Sequence, residues 1–100
     1  MTQYIVFTAD VQTAQAAKLR DALIQASNAG NDICLLISSA GGHVSKGLNL
    51  AALMNSLPVQ ITTHNIGQTD SIANVIFAAG KIRYATANSS FLFHGVSMHY

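Results

Sequence analysis

Residues 33 to 44 read ICLLISSAGGHV. The run ICLLIS is continuously apolar until its last residue, which predicts a strand over 33–38 covered on both faces. Two glycines follow, and glycine lets the backbone turn sharply and expose its N–H groups. The next residues, from about 44 to 57, put Leu50, Leu53, Met54 and Leu57 on one stripe, with Pro58 as the stop. A strand, a glycine turn and a helix in this order form the unit of a parallel α/β layer.

The unit repeats in both directions. YIVFT at 4–8 is short and β-rich, and Thr13 to Ala29 is helix-like, with Leu19, Ala22, Leu23 and Ala26 at i, i+3, i+4 and i+7 before Gly30. VQITTHN at 59–65 predicts a third strand, and SIANVIFAA at 71–79 a short apolar helix ended by Gly80. KIRYAT at 81–86 and FLFHG at 91–95 predict two more strands. The order β-α-β-α-β-α-β-β is that of an α/β fold, in which sites gather where strand ends meet helix starts.

Composition bounds the function. The chain has 100 residues, enough for one small domain. Half are apolar and only 9% are charged, against about 25% in ordinary domains. Much of the surface is therefore expected to lie against a partner subunit or further chain. The alternative is a neutral coat of Ser, Thr, Asn and Gln. The net charge is +1 and the basic residues Lys18, Arg20, Lys46, Lys81 and Arg83 are scattered, so no stripe tracks phosphates and nucleic acid is not expected as a partner. Cys34 is the one cysteine and reads as a small core residue of a reducing compartment. The N-terminus has no signal-peptide pattern, and no apolar run reaches membrane-spanning length. The expectation is a cytoplasmic protein without a membrane segment.

Two junctions draw attention. In ISSAGGHVS the diglycine precedes a helix start, where unpaired donors and the positive dipole end suit negative charge. GGHVSKG has neither GxxxxGK[ST] nor GxGxxG spacing, so nucleotide binding is poorly supported. A developing oxyanion needs only one or two such donors. A plain strand-to-helix turn would look the same. In NIGQTDSIA, four polar residues, Gln68 to Ser71, interrupt apolar sequence. Ser71 at a helix start is often an N-cap. It could equally be a nucleophile presented by a tight turn, with the Ile72 N–H facing the same space, although the text is not GxSxG. Asp70 is adjacent and is expected to point away from Ser71. A serine nucleophile needs a base. His94 ends the strand FLFHG, His43 follows the diglycine, and His64 and His99 have no evident setting. None has metal-ligand spacing, so neither metal nor cofactor is expected.

Taken in order, these segments resemble a known family. ISSAGGHVSKGL resembles the INSPGG-x-V-x-x-G segment of the Clp-type serine proteases. NIGQTDSIANVIFAAG resembles their MGQAAS-x-x-A-x-x-x-x-AG segment, and ANSSFLFHG their PNS-x-x-x-x-H segment. The likeness spans residues 33 to 95 and, more loosely, the chain from residue 5. It implies the repeated ββα spiral of the ClpP/crotonase-like fold. It implies Ser71 as nucleophile, His94 as general base, and Gly42 and Ile72 as the backbone donors of an oxyanion hole. It also implies cleavage of unfolded polypeptide, assembly into rings of identical subunits, and an ATP-dependent unfoldase as partner.

The sequence departs from the pattern at several places. Ala40 stands for the proline before the diglycine, Asp70 for a small residue, Ala73 for a glycine, and Gly95-Val96 for Gln-Pro. The family's acidic triad member and helical handle lie beyond the point where this sequence stops, so residues 1–100 are expected to be a short or truncated Clp-like domain. A non-catalytic subunit on the same fold is the alternative. An acyl-CoA enzyme of the crotonase branch ranks last, since such enzymes rely on glutamate and this chain has none.

Overall fold

The structure is a computed structural model that describes residues 1–93 and, for the main chain, 96–99. Its elements are β1 (Thr2–Phe7), α1 (Thr13–Asn28), β2 (Asp32–Ser39), α2 (Val44–Ser56), β3 (Ile61–Asp70), α3 (Ala73–Ala78), β4 (Ile82–Ala85), β5 (Ser90–Phe93) and β6 (Val96–His99). The strands form one sheet in the order β1-β2-β3-β5-β6, with β4 also on β3. All pairs are parallel except β5 with β6. The α/β alternation read from the sequence is therefore the architecture observed.

Strand alternation puts Ile5, Phe7, Ile33, Leu35, Ile37 and Ile61 on one face. There they are buried against Ala16, Leu19, Leu23 and Ala26 of α1, Leu50 and Met54 of α2, and Ile76 of α3. The helix periodicities thus predicted the buried stripes, with Ala22, Leu53 and Leu57 at their half-buried margins. The other face is open. Registered rows run Tyr4, Cys34, Thr62, Ile82 and Val6, Leu36, His64, Tyr84 across β1 to β4. Tyr4, Val6, Ile82 and Tyr84 are exposed, and Cys34, Leu36, Thr62 and His64 are half-buried. The expectation that β2 is covered on both faces is corrected accordingly. Among the described residues its apolar run faces helices on one side only.

Element bounds also differ from expectation around the second junction. β3 does not end at residue 65. It bends at an irregularity opposite Ile37 and Ser39 and continues to Asp70. Its first half pairs with β4, and its second half pairs with β5 through Gln68↔Ser90, Thr69↔Phe91 and Asp70↔Leu92. α3 begins at Ala73, two residues later than expected. The antiparallel strand β6 was not anticipated. No helix among the described residues is long and apolar enough to cross a membrane.

Candidate active site

The first turn is built by β2, the diglycine and a buried valine. Ser39 is buried at the strand end, and its Oγ accepts the Gly41 N–H at 3.2 Å. Val11, fully buried, donates its N–H to the Gly41 carbonyl at 2.7 Å, and its own carbonyl accepts the His43 N–H at 2.8 Å. The diglycine is thereby pinned from one side. Gly41 has φ +97 and Gly42 φ +150, and a Cβ on Gly42 would run into the Val11 carbonyl. Side chains are excluded at both positions. The Gly42 N–H donates to no protein acceptor among the described residues. His43 precedes α2 and makes no side-chain cap.

Ser71 forms the second turn, between β3 and α3. Its φ is 54, left-handed for a residue with a side chain, a conformation that costs about 1–3 kcal/mol and persists only when the surroundings impose it. What imposes it is hydrogen bonding. The Ser71 N–H donates to the Leu92 carbonyl of β5 at 2.9 Å, and the Ser71 carbonyl accepts the Asn74 N–H at 3.0 Å. The Asn74 side chain is buried, and its Nδ2 donates both to Ser71 O at 3.1 Å and to Leu92 O at 2.9 Å. Thr69, fully buried, donates its hydroxyl to Asn74 Oδ1 at 3.2 Å and accepts Asn65 Nδ2 at 3.3 Å. Asn65 Nδ2 also reaches the Ser90 carbonyl at 2.9 Å. Phe77 of α3 meets Phe91 of β5 edge to face at 5.1 Å.

Ser71 is therefore not an N-cap. Ile72 holds the cap position of α3, and no side chain caps it. The Ser71 side chain is exposed instead, and the Ile72 N–H donates to no protein acceptor among the described residues. The Ile72 side chain is buried and reaches toward α2 at Gly47, where a Cβ would meet its Cγ1. That close approach accounts for a glycine inside α2.

The two turns converge. A Cβ on Gly41 would sit 3.0 Å from Ser71 Cβ, 2.8 Å from the Asp70 carbonyl oxygen and 3.5 Å from Ile72 N. Beside them opens a cleft of about 550 Å³ lined by Val44, Ser71, Ile72, Asn74, Val75, Ala78 and Phe93. It is apolar apart from Ser71 and Asn74. Ser71, Ile72 and the diglycine are thus brought together. His94 lies outside the described residues. It follows Phe93, which lines the cleft. His64 is on the open face of the sheet, bonded to Thr86 Oγ1 at 3.0 Å, and has no part in this site.

The family model for Clp protease matches residues 1–99. The chain belongs to the Clp protease family. Over 70 residues it is 40% identical to the ATP-dependent Clp protease proteolytic subunit of Carsonella ruddii (strain PV), covering 68% of this chain and 36% of that protein. It resembles the ClpP protease catalytic domain from Plasmodium falciparum with a TM-score of 0.86 and 30% identity, over 90% of this chain and 53% of that one. ClpP1 from Listeria monocytogenes matches with a TM-score of 0.86 and 20% identity over 91% of this chain and 55% of that one, a likeness of fold alone. The chain spans about a third of the curated relative and about half of these solved chains.

Within this Clp protease family chain, sequence reasoning found Ser71, Ile72 and the diglycine but missed Asn65, Thr69 and Asn74. Against the family segment quoted above, Thr69 and Asn74 stand where the pattern has alanine. The available signal was three hydrogen-bonding side chains spaced four and five residues apart, lying among other polar residues of the same stretch.

Proposed function

We propose that this chain carries the reaction centre of a Clp-type serine peptidase. Ser71 Oγ attacks a peptide carbonyl carbon while His94 takes the hydroxyl proton. The carbonyl oxygen becomes an oxyanion, held by the N–H groups of Gly42 and Ile72. Collapse of this intermediate breaks the C–N bond, and the imidazolium returns the proton to the departing amine. Water, deprotonated by His94, then attacks the Ser71 ester and releases the new carboxyl end. The adjoining apolar cleft suits an apolar side chain of the substrate. The substrate class is unfolded polypeptide.

The observation that carries this reading is Ser71 itself. An exposed serine is held at positive φ beside two backbone N–H groups with no protein acceptor among the described residues. Any helix start leaves open donors, but a turn serving only to start a helix does not need a serine held at positive φ beside them. Assembly into a ring of like subunits belongs to the same proposal. It is supported by the exposed Tyr4, Val6 and Tyr84 on the uncovered sheet face and by the low charge of the chain. The relative's description as ATP-dependent supports an unfoldase partner. A cytoplasmic location is proposed from the single cysteine.

A second reading, a non-catalytic Clp-like subunit, draws on Asp70, whose carboxylate stands next to the serine in place of a small residue. A fluorophosphonate probe separates the two. The peptidase reading expects labelling of the wild type that Ser71→Ala abolishes. Equal labelling of both, or none of either with assembly intact, favours the non-catalytic subunit.

A further inference from the structure

We propose that Asn74 is a positioning residue for Ser71, clamping the nucleophile turn to the strand that leads to His94. The inference rests on the peptidase reading above and adds a part that the family segment, with alanine at this position, does not contain.

Asn74 is buried to more than nine-tenths at the rim of the Ser71 cleft. Its amide carries two donors and one acceptor oxygen. Both donor bonds from Nδ2 go to main-chain carbonyls, those of Ser71 and Leu92. Oδ1 accepts the Thr69 hydroxyl, which in turn accepts Asn65 Nδ2. The orientation of the amide is self-consistent, because a flipped amide would set its oxygen against two carbonyl oxygens. No donor is left for a ligand, so the group shapes the site and does not read the substrate.

The geometry explains what is shaped. Leu92 O receives two donors, the Ser71 N–H and Asn74 Nδ2. Leu92 is two residues before His94 in the chain. The same amide also grips the Ser71 carbonyl, the other side of the strained residue. One side chain therefore ties both flanks of the proposed nucleophile to the segment that carries its proposed base. A 1 Å error between reacting groups can cost about 100-fold in rate, so a clamp at this point acts on chemistry more than on binding.

Asn74→Asp keeps the shape and replaces two donors by an acceptor facing two carbonyls. Thr69→Val keeps the shape and removes the hydroxyl that donates to Oδ1 and accepts Asn65 Nδ2, which keeps its bond to the Ser90 carbonyl. It is a milder change for the case in which Asn74→Asp fails to fold. The maximal rate and half-saturating concentration of fluorophosphonate labelling are measured for each, together with hydrogen exchange of the Ser71 amide and of Leu35 in the core. The maximal rate is expected to fall about 100-fold in Asn74→Asp and about tenfold in Thr69→Val, with half-saturation moving less than about threefold. Ser71 amide protection is expected to drop while Leu35 protection holds. Wild-type labelling rates with unchanged Ser71 protection in either variant overturn the clamp and leave the peptidase reading intact. If the wild type does not label at all, the peptidase reading falls. The clamp as a structural device is then judged by exchange alone, standing if Ser71 protection drops in the variants and falling if it does not.

Discussion

The Ser71 N–H donates to the Leu92 carbonyl at 2.9 Å. This bond continues the β3–β5 ladder one residue past its last registered pair, Asp70↔Leu92. The polar stretch Gln68 to Ser71 is thus the end of a parallel strand and the first residue of a turn. Its residues divide by strand alternation. Thr69 is fully buried in a hydrogen-bonded network, while Gln68 is exposed and Asp70 half-exposed. Only part of the stretch is polar because it meets solvent.

Gly41→Ala is expected to damage the site more than the fold. The added methyl would approach the Asp70 carbonyl at 2.8 Å and Ser71 Cβ at 3.0 Å, on a backbone with φ +97. The strain is about 1–3 kcal/mol, and displacement of Ser71 lowers the rate of active-serine labelling by about 100-fold. Thermal unfolding and labelling kinetics check the two effects. A variant with wild-type labelling would show that the two turns are not in contact.

Ser71→Gly and Ser71→Ala both remove the hydroxyl, yet they are expected to differ in stability. Alanine keeps a Cβ at φ 54, whereas glycine populates that region freely. Ser71→Gly should therefore be more stable than Ser71→Ala by about 1 kcal/mol, the lower end of the usual left-handed penalty. Denaturant titration of the pair is the measurement. Equal midpoints would mean that the residue is not held left-handed in solution.

Much of this was readable before any coordinates. The spacing of Leu19, Leu23 and Ala26, and of Leu50 and Met54, marked buried helix faces because a 3.6-residue period leaves few other readings. Gly41 and Gly42 marked a turn because glycine lets the backbone bend sharply; that a side chain there would collide is seen only in the structure. The second half of β3 was not readable. Hydropathy treats Asn65 and Thr69 as surface residues, and what buries them is hydrogen bonding to Asn74 and to Ser90, up to 25 residues away. The open face was missed for a related reason. An apolar run such as ICLLI shows that residues can be covered, not which side has a helix to cover them.

Leu35 tests the core independently of the site. It is fully buried in β2, between β1 and β3. Leu35→Ala is expected to cost about 2–5 kcal/mol through lost burial and a residual cavity. A urea titration reads this as a lower midpoint at unchanged slope. A loss under about 1 kcal/mol would place Leu35 outside the packed layer.

Cys34 gives stability a pH dependence on the alkaline side. Burial pushes its thiol pKa up from the ordinary value. In the interval above the unfolded thiol's pKa, the native state holds a proton that the unfolded chain has released. Stability therefore falls as pH rises through that interval and is fully present below it. Unfolding midpoints measured across alkaline pH should fall less steeply in Cys34→Ala than in the wild type. Parallel curves would mean that Cys34 is as solvated in the native protein as in the unfolded chain.

The central claim is that the Ser71 turn and the imidazole of His94 share one pocket. A crystal structure of the protein with a phosphonate bound at Ser71 measures this directly. The account predicts a covalent bond at Ser71 Oγ, a phosphonyl oxygen facing the N–H groups of Gly42 and Ile72, and a His94 ring nitrogen about 2.6–3.2 Å from the serine oxygen. An imidazole on the open face of the sheet, beside Tyr84 and away from Ser71, would contradict it.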